Sequence, residues 1–312
     1  MEFHFDLKKD RKFDVVGFGT NAVDYLISVP EYPQFDSKIE LTDYNWFAGG
    51  EIATTMTGLQ RLGLKTAYAG RFGDDNAGDF GIQTLKDEGI DCRYAEQIKG
   101  AKTQIAFIII DERNGERTVI WKRDEALSFA PDETVETIAT DGAVLHFTPH
   151  DLEACIKLAE IGRAAGTIIS IDVDRVTNGI EALLRNVDLL VCSKEFASEI
   201  TSRDEPRDAL VEIQKTFGSP FVGITLGEKG SLSLYRERII ETKGYQVPGG
   251  CKDTTGAGDS FRSGLLFGLL SGWSVEDSCR AANAVAALKC RSIGARTALP
   301  SRFELDAMLL EG

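Results

Sequence analysis

"DTTGAGDSF", residues 253–261, decides how the chain is read. Three small residues, Gly256, Ala257 and Gly258, stand directly before Asp259, and Phe261, Leu265, Leu266, Leu269 and Leu270 follow at helical spacing. Asp259 therefore falls at a helix start. The first N–H groups of a helix have no acceptor within it, and the positive end of the helix dipole lies at the same place. Side chains this small let an anion approach those amides closely. The pattern describes an anion hole suited to the charge of a phosphoryl group in transfer, with a carboxylate at its edge. A plain helix cap is the other reading of these four residues. The stretch is not a Walker loop, because no Gly-Lys-Ser/Thr follows, and not a dinucleotide fingerprint, because no βαβ unit follows.

The 312-residue chain is long enough for one large α/β domain, and its 43% hydrophobic content supplies a core. A net charge of −14 argues against nucleic acid or an anionic membrane as partner, since either needs a basic footprint. The six cysteines are scattered without a Cys-x-x-Cys pair, as expected for reduced thiols in the cytoplasm. The charged start, "MEFHFDLKKDRKFD", carries no secretory signal, and no apolar run reaches the ~20 residues of a membrane span.

Apolar runs at 13–19, 66–73, 143–148, 167–174, 187–193 and 221–227 read as strands buried on both faces. Helical patterns at 50–62, 75–88, 151–164 and 204–217 lie between them. The alternation predicts a layered α/β sandwich around a mostly parallel sheet, in a single domain over 1–312. Two segments break the rhythm, 37–48 and 103–123, the second a hairpin with Asn114-Gly115 as its turn. Together they predict a small β lid, or else a surface hairpin. His146 and His150 do not form a metal pair, because Pro149 between them denies the helix that such spacing needs. Trp46 on the lid either stacks on a ligand or meets a partner lid, and Cys251 reads as a small packing residue.

The longer string "DTTGAGDSFRSG" (253–264) resembles the C-terminal signature of the ribokinase-like (PfkB) carbohydrate kinase family. "VVGFGTNAVDYLISVPEYP" (15–33) is similar to the family's opening strand, "AGGEIATTMTGLQRLG" (48–63) to its N-terminal signature, and "GRFGDDNAGDF" (70–80) follows in place. "TLGEKGS" (225–231) resembles a nucleotide-side loop and "NAVAALKC" (283–290) a helix that flanks adenine. The resemblance implies a ribokinase-like three-layer sandwich and an ATP- and Mg²⁺-dependent kinase acting on a primary hydroxyl of a small sugar. It implies that Asp259 is the base and that Gly256, Ala257 and Gly258 hold the phosphoryl oxygens. Asp24, Gly49, Gly50 and Thr54 fall at sugar-binding positions, and Ser193, Thr225, Gly227, Gly230 and Asn283 at nucleotide-binding ones. Asp253 and Thr255 lie where some members bind K⁺. A homodimer through the lid is implied as well.

Departures limit the resemblance. Thr54 stands where the family often has Asn, which argues against a strict ribokinase. Ser193 and Phe196 replace the usual Asn-x-x-Glu near the nucleotide's metal, leaving Glu195 or Glu199 to assist magnesium or to stay solvated. "SKEFA" (193–197) is similar to ketohexokinases, and "SIDVDR" (170–175) with the 285–300 tail to sulfofructose kinases; both lean towards a ketose. The lid cations Lys122 and Arg123 either grip an anionic substituent or are solvated. A nucleoside or sugar-phosphate kinase of the same fold stays open, as does a catalytically silent sugar- or nucleotide-binding regulator.

Overall fold

A computed structural model describes residues 1–8, 10–113 and 117–311. Its strands are β1 (Phe13–Phe18), β2 (Ala22–Val29), β3 (Asp43–Gly49), β4 (Thr66–Gly73), β5 (Asp91–Ile98), β6 (Ile105–Asp111) and β7 (Arg117–Lys122), then β8 (Gly142–Phe147), β9 (Ile168–Val173), β10 (Leu189–Ser193), β11 (Phe221–Thr225), β12 (Ser231–Tyr235) and β13 (Arg238–Thr242). The helices are α1 (Glu51–Arg61), α2 (Asn76–Asp87), α3 (Thr137–Thr140), α4 (Leu152–Ala164), α5 (Ile180–Leu184), α6 (Lys194–Thr201), α7 (Pro206–Phe217), α8 (Ala257–Leu270), α9 (Val275–Lys289) and α10 (Arg302–Glu311).

Nine strands form the main sheet in the order β13-β12-β11-β10-β9-β8-β1-β4-β5. Neighbours are parallel from β5 through to β11, while β12 and β13 add an antiparallel edge. Every residue of β8 and β9 is buried, as a strand covered by helices on both faces requires. Two apolar clusters lie one on each face. One gathers Phe18, Leu145 and Ile171 with α4 and α7; the other gathers Val15, Val144 and Val191 with α1, α8 and α9. No helix among the described residues is long and apolar enough to cross a membrane.

The lid is a second sheet of order β3-β2-β6-β7. It differs from the sequence reading in one respect that matters for the site. The 15–33 stretch is not a single strand: β1 ends at Phe18, and β2 begins at Ala22 in the lid, between β3 and β6. Asp24 is thus a lid residue. The lid's first segment is also shorter than expected, being extended only from Asp43. The predicted Asn114-Gly115 turn lies outside the described residues.

Candidate active site

Beneath the lid, the carboxyl ends of β1, β8 and β9 open onto a cleft of about 590 Å³. Parallel α/β sheets gather ligands at this edge. Thr20, Thr148, His150, Asp172 and Asp174 line the cleft from the sheet side. Asp24, Ala106, Ile108, Arg117, Val119 and Trp121 face it from the lid, and Gly50 and Glu51 from the start of α1. The register explains the lid face, since Asp24 pairs with Ala106 and Ala106 with Trp121, so all three point the same way.

Gly256, Gly258 and Asp259 form the floor. Gly256 caps α8 at φ 78°, a left-handed conformation that a β-branched side chain would strain. The N–H of Ala257 donates back to the carbonyl of Thr254 at 3.1 Å. The amide predicted there for a phosphoryl oxygen is therefore already committed, and those of Gly258 and Asp259 remain at the open helix end. The Asp259 carboxyl is pushed well above the usual carboxylate range, first by burial and then by the negative charges of Asp172 and Glu51; Arg262 and Arg296 oppose the shift.

These neighbours form a network that the sequence reading did not single out. Asp172, at the end of β9, has its pKa pushed up to about 7 by burial, although Arg262 lies 2.5 Å away. Arg262, one helical turn beyond Asp259, also donates to the carbonyl of Val191 on β10 at 3.2 Å. Glu51 is pushed up to about 7, burial again leading and Asp174 adding to it, and it accepts from Thr20 Oγ1 at 3.2 Å. A carboxyl whose proton affinity is raised towards neutrality, beside amides that can hold an anion, can take a proton from a hydroxyl as that hydroxyl attacks phosphorus.

Asp24 is 6% exposed, and burial raises its pKa to about 6 against the pull of Arg296. It has room because Gly49 has no side chain: a Cβ there would run into the Asp24 carboxylate. Gly49 thus serves the carboxylate rather than an approaching ligand, while Gly50, the residue before α1, lines the cleft. Arg296 is buried behind both and donates to the Gly49 carbonyl.

The same sheet edge continues over β10 and β11, where Ser193 and Thr225 are register partners at the strand ends. Ser193 caps α6 by accepting from the N–H of Phe196 at 3.0 Å. Gly227 and Gly230 bound the short helical turn after β11, both at positive φ. Asn283, 6% exposed on α9, donates to Ser231 Oγ and to the Cys279 carbonyl, both at 2.9 Å. Its amide N–H groups are thus turned inward. With Arg262 bonded to Val191 and Asp172, α8 begins between the two halves of this edge.

Residues 13–302 match the model of the pfkB family of carbohydrate kinases. The chain belongs to that family. It is 24% identical over 317 residues to an ATP-dependent 6-phosphofructokinase of Thermoanaerobacterium thermosaccharolyticum, covering 96% of this chain and 94% of the relative. It is 24% identical over 323 residues to a 5-dehydro-2-deoxygluconokinase of Clostridium perfringens, covering 96% and 93%. The fold is ribokinase-like. The structure of Arabidopsis thaliana ribokinase complexed with ribose and ATP superimposes with a TM-score of 0.84 at 22% identity, over 95% of this chain and 98% of that one.

Within this pfkB kinase, several predicted site residues fall elsewhere. Arg123 does not reach the cleft, because its guanidinium is held by both oxygens of buried Asp151, at 2.9 and 2.8 Å, and by the Leu127 carbonyl. Lys122 is exposed. The cleft's lid cation is Arg117, and Arg175 follows β9. Thr54 is fully buried within α1, its hydroxyl without a partner, and is not a cleft-lining residue. Trp46 stacks on Phe80 at 4.5 Å on the far side of the lid, so Trp121 is the tryptophan that faces the cleft. Glu195 is exposed in the first turn of α6. Cys251 is exposed rather than packed. His146 bonds Ser170 inside the core, whereas His150 lines the cleft 3.5 Å from Glu51.

Proposed function

We propose that the chain transfers the γ-phosphoryl group of ATP to a primary hydroxyl of a small sugar, a ketose by the resemblance of residues 193–197. The observation that carries this reading is the Asp259 carboxyl at the open start of α8, on the floor of a sugar-sized cleft. Asp24 and Gly50 orient the sugar. Asp259 takes the hydroxyl proton as its oxygen attacks phosphorus, and the amides of Gly258 and Asp259 hold the phosphoryl oxygens. Ser193, Thr225 and the 227–230 turn lie along the nucleotide's side. The lid excludes water, which competes as acceptor.

Magnesium supplies charge neutralisation to the triphosphate. The donor set fits an ion carried mainly by phosphates and water: no cluster of three metal-ligating side chains exists among the described residues, and Glu195 offers one solvated carboxylate. A coupled assay of ATP consumption over ketoses, aldoses, sugar phosphates, sugar acids and nucleosides tests the reading. A ketose should give the highest kcat/KM. Tight sugar binding with no turnover of any acceptor would mean a silent regulator instead.

Two expected results follow from the lid. Asp24→Ala should raise the acceptor KM by the equivalent of about 1–3 kcal/mol, since sugar hydroxyls lose a buried partner, while the ATP KM stays put. Equal changes in both constants would make Asp24 structural. We also propose a homodimer through the outer lid face, where Trp46 (47% exposed), Phe107 (40%) and Ile120 (54%) form a row with Tyr25. Ile120→Glu should shift a sedimenting dimer to monomer; a native protein that sediments as a monomer at micromolar concentration would refute it.

A further inference from the structure

Behind the anion loop, a lysine is buried that the proposed reaction does not use. Lys289 ends α9 with 0% of its surface exposed. Its ammonium donates to the backbone carbonyl of Asp253 at 2.8 Å and lies 3.6 Å from Asp253 Oδ2. The same carboxylate accepts the N–H of Thr255 at 2.8 Å through Oδ1 and the N–H of Gly294 at 2.9 Å through Oδ2. Next to Gly294 stand Ala295, which backs Gly256, and Arg296, which reaches Gly49 beside Asp24. One ammonium–carboxylate knot therefore ties the root of the anion loop to the segment that backs Gly256 and reaches Gly49.

Burying an ammonium is costly unless it is paired and hydrogen-bonded, and Leu or Met would fill the same volume at lower cost. Burial does pull the proton affinity of Lys289 down, with Asp253 opposing. What a lysine adds is a compact point charge with three donors. A charge in that place holds a carbonyl and a carboxylate together, which is the task of a bound monovalent cation. It also occupies the neighbourhood of Asp253 and Thr255 that the sequence reading assigned to K⁺, where the Arg117 guanidinium already stands 3.8 Å from Asp253 Oδ1, so a soluble cation entering there would meet two fixed positive charges.

We propose that Lys289 is a positioning residue for phosphoryl transfer, an internal cation that sets the 253–256 loop and removes the need for a soluble monovalent cation there. The proposal rests on the kinase reading above. Misplacing a catalytic loop by a fraction of an ångström to 1 Å is enough to slow turnover substantially.

The test compares the native protein and two variants in buffers of tetramethylammonium, potassium and ammonium salts. Native kcat should differ by less than about twofold among them, Lys289→Met should lose about tenfold in kcat with little change in acceptor KM, and Lys289→Ala should regain most of its loss in potassium or ammonium but not in bulky tetramethylammonium. Potassium activation of the native enzyme, or a folded Lys289→Met with native kcat, would overturn the proposal. If both variants fail to fold, the native comparison decides alone. If no acceptor turns over, the kinase reading fails separately, and the same salts are compared for ADP binding by calorimetry. Binding to Lys289→Ala that potassium strengthens supports the internal cation; binding blind to the salt refutes it.

Discussion

Asp259→Asn should lower kcat by about 10²–10⁴-fold, the usual cost of losing a general base. The fold and ATP binding should survive, because the substitution is isosteric and an asparagine amide can still donate to Asp172. Steady-state kinetics, circular dichroism and calorimetric titration with ATP check the three parts, and turnover within a few-fold of the parent would reduce Asp259 to a helix cap. A pH dependence accompanies the loss. The Asp259 carboxyl is raised by burial and by the charges of Asp172 and Glu51. As pH falls through its raised value it gains a proton and can accept no other, so kcat should decline on an acid limb lying above the ordinary carboxylate range. Asp172→Asn removes one of the charges that raise it, so in that variant the limb should move to lower pH.

Much of this architecture is legible in sequence because burial on both faces writes itself as continuous apolar runs. β8 and β9, all buried, fall within one residue of their expected bounds. Three strands of the main sheet escaped: β5 and β13 at its edges, and buried β12, whose alternating "SLSLY" makes no continuous apolar run. β5, "DCRYAEQI", and β13, "RIIET", carry charged residues on their exposed sides and make no apolar run. The break between β1 and β2 is hidden for another reason. Both strands are apolar, and only the turn at 19–21 separates them, so one long strand fits the pattern equally well. What sends β2 to the other sheet is its pairing with β3 and β6, which local sequence does not encode.

At the site, legibility follows chain proximity. The anion loop, its aspartate and the helix start are contiguous, so small residues before a helical period suffice to find them. The network around Asp259 is assembled from β9, α1, α8 and the 290–296 segment, and residues 51, 172 and 296 meet only through the fold. Asp172 and Arg262 did carry a signal, each being a charge inside an otherwise apolar, periodic run. Arg123 shows the opposite error. An arginine at the end of a lid strand invites a ligand role, but Asp151, 28 positions away, claims both its guanidinium arms.

Arg262→Met should destabilise the protein by about 3–5 kcal/mol, because it leaves the buried Asp172 carboxylate unpaired. The pair is 2.5 Å apart, with Arg262 4% and Asp172 9% exposed. Denaturation midpoints in urea at constant slope measure the loss, and a single variant within about 1 kcal/mol of the parent would deny the pair its structural weight. The double variant Arg262→Met/Asp172→Leu should recover most of the stability, since two apolar groups replace two mutually dependent charges. Activity separates the variants differently. Losing Arg262 removes a charge that lowers the proton affinity of Asp259, so the acid limb of kcat should rise and neutral-pH turnover should fall. Losing both partners removes the Asp172 charge as well, and that charge acts on Asp259 more strongly than Arg262 does. The limb of the double variant should therefore lie below that of the native protein. A pair kept only for stability would leave the limb unmoved in both variants; opposite shifts would make it a device that sets the proton affinity of the carboxyl beside the anion hole.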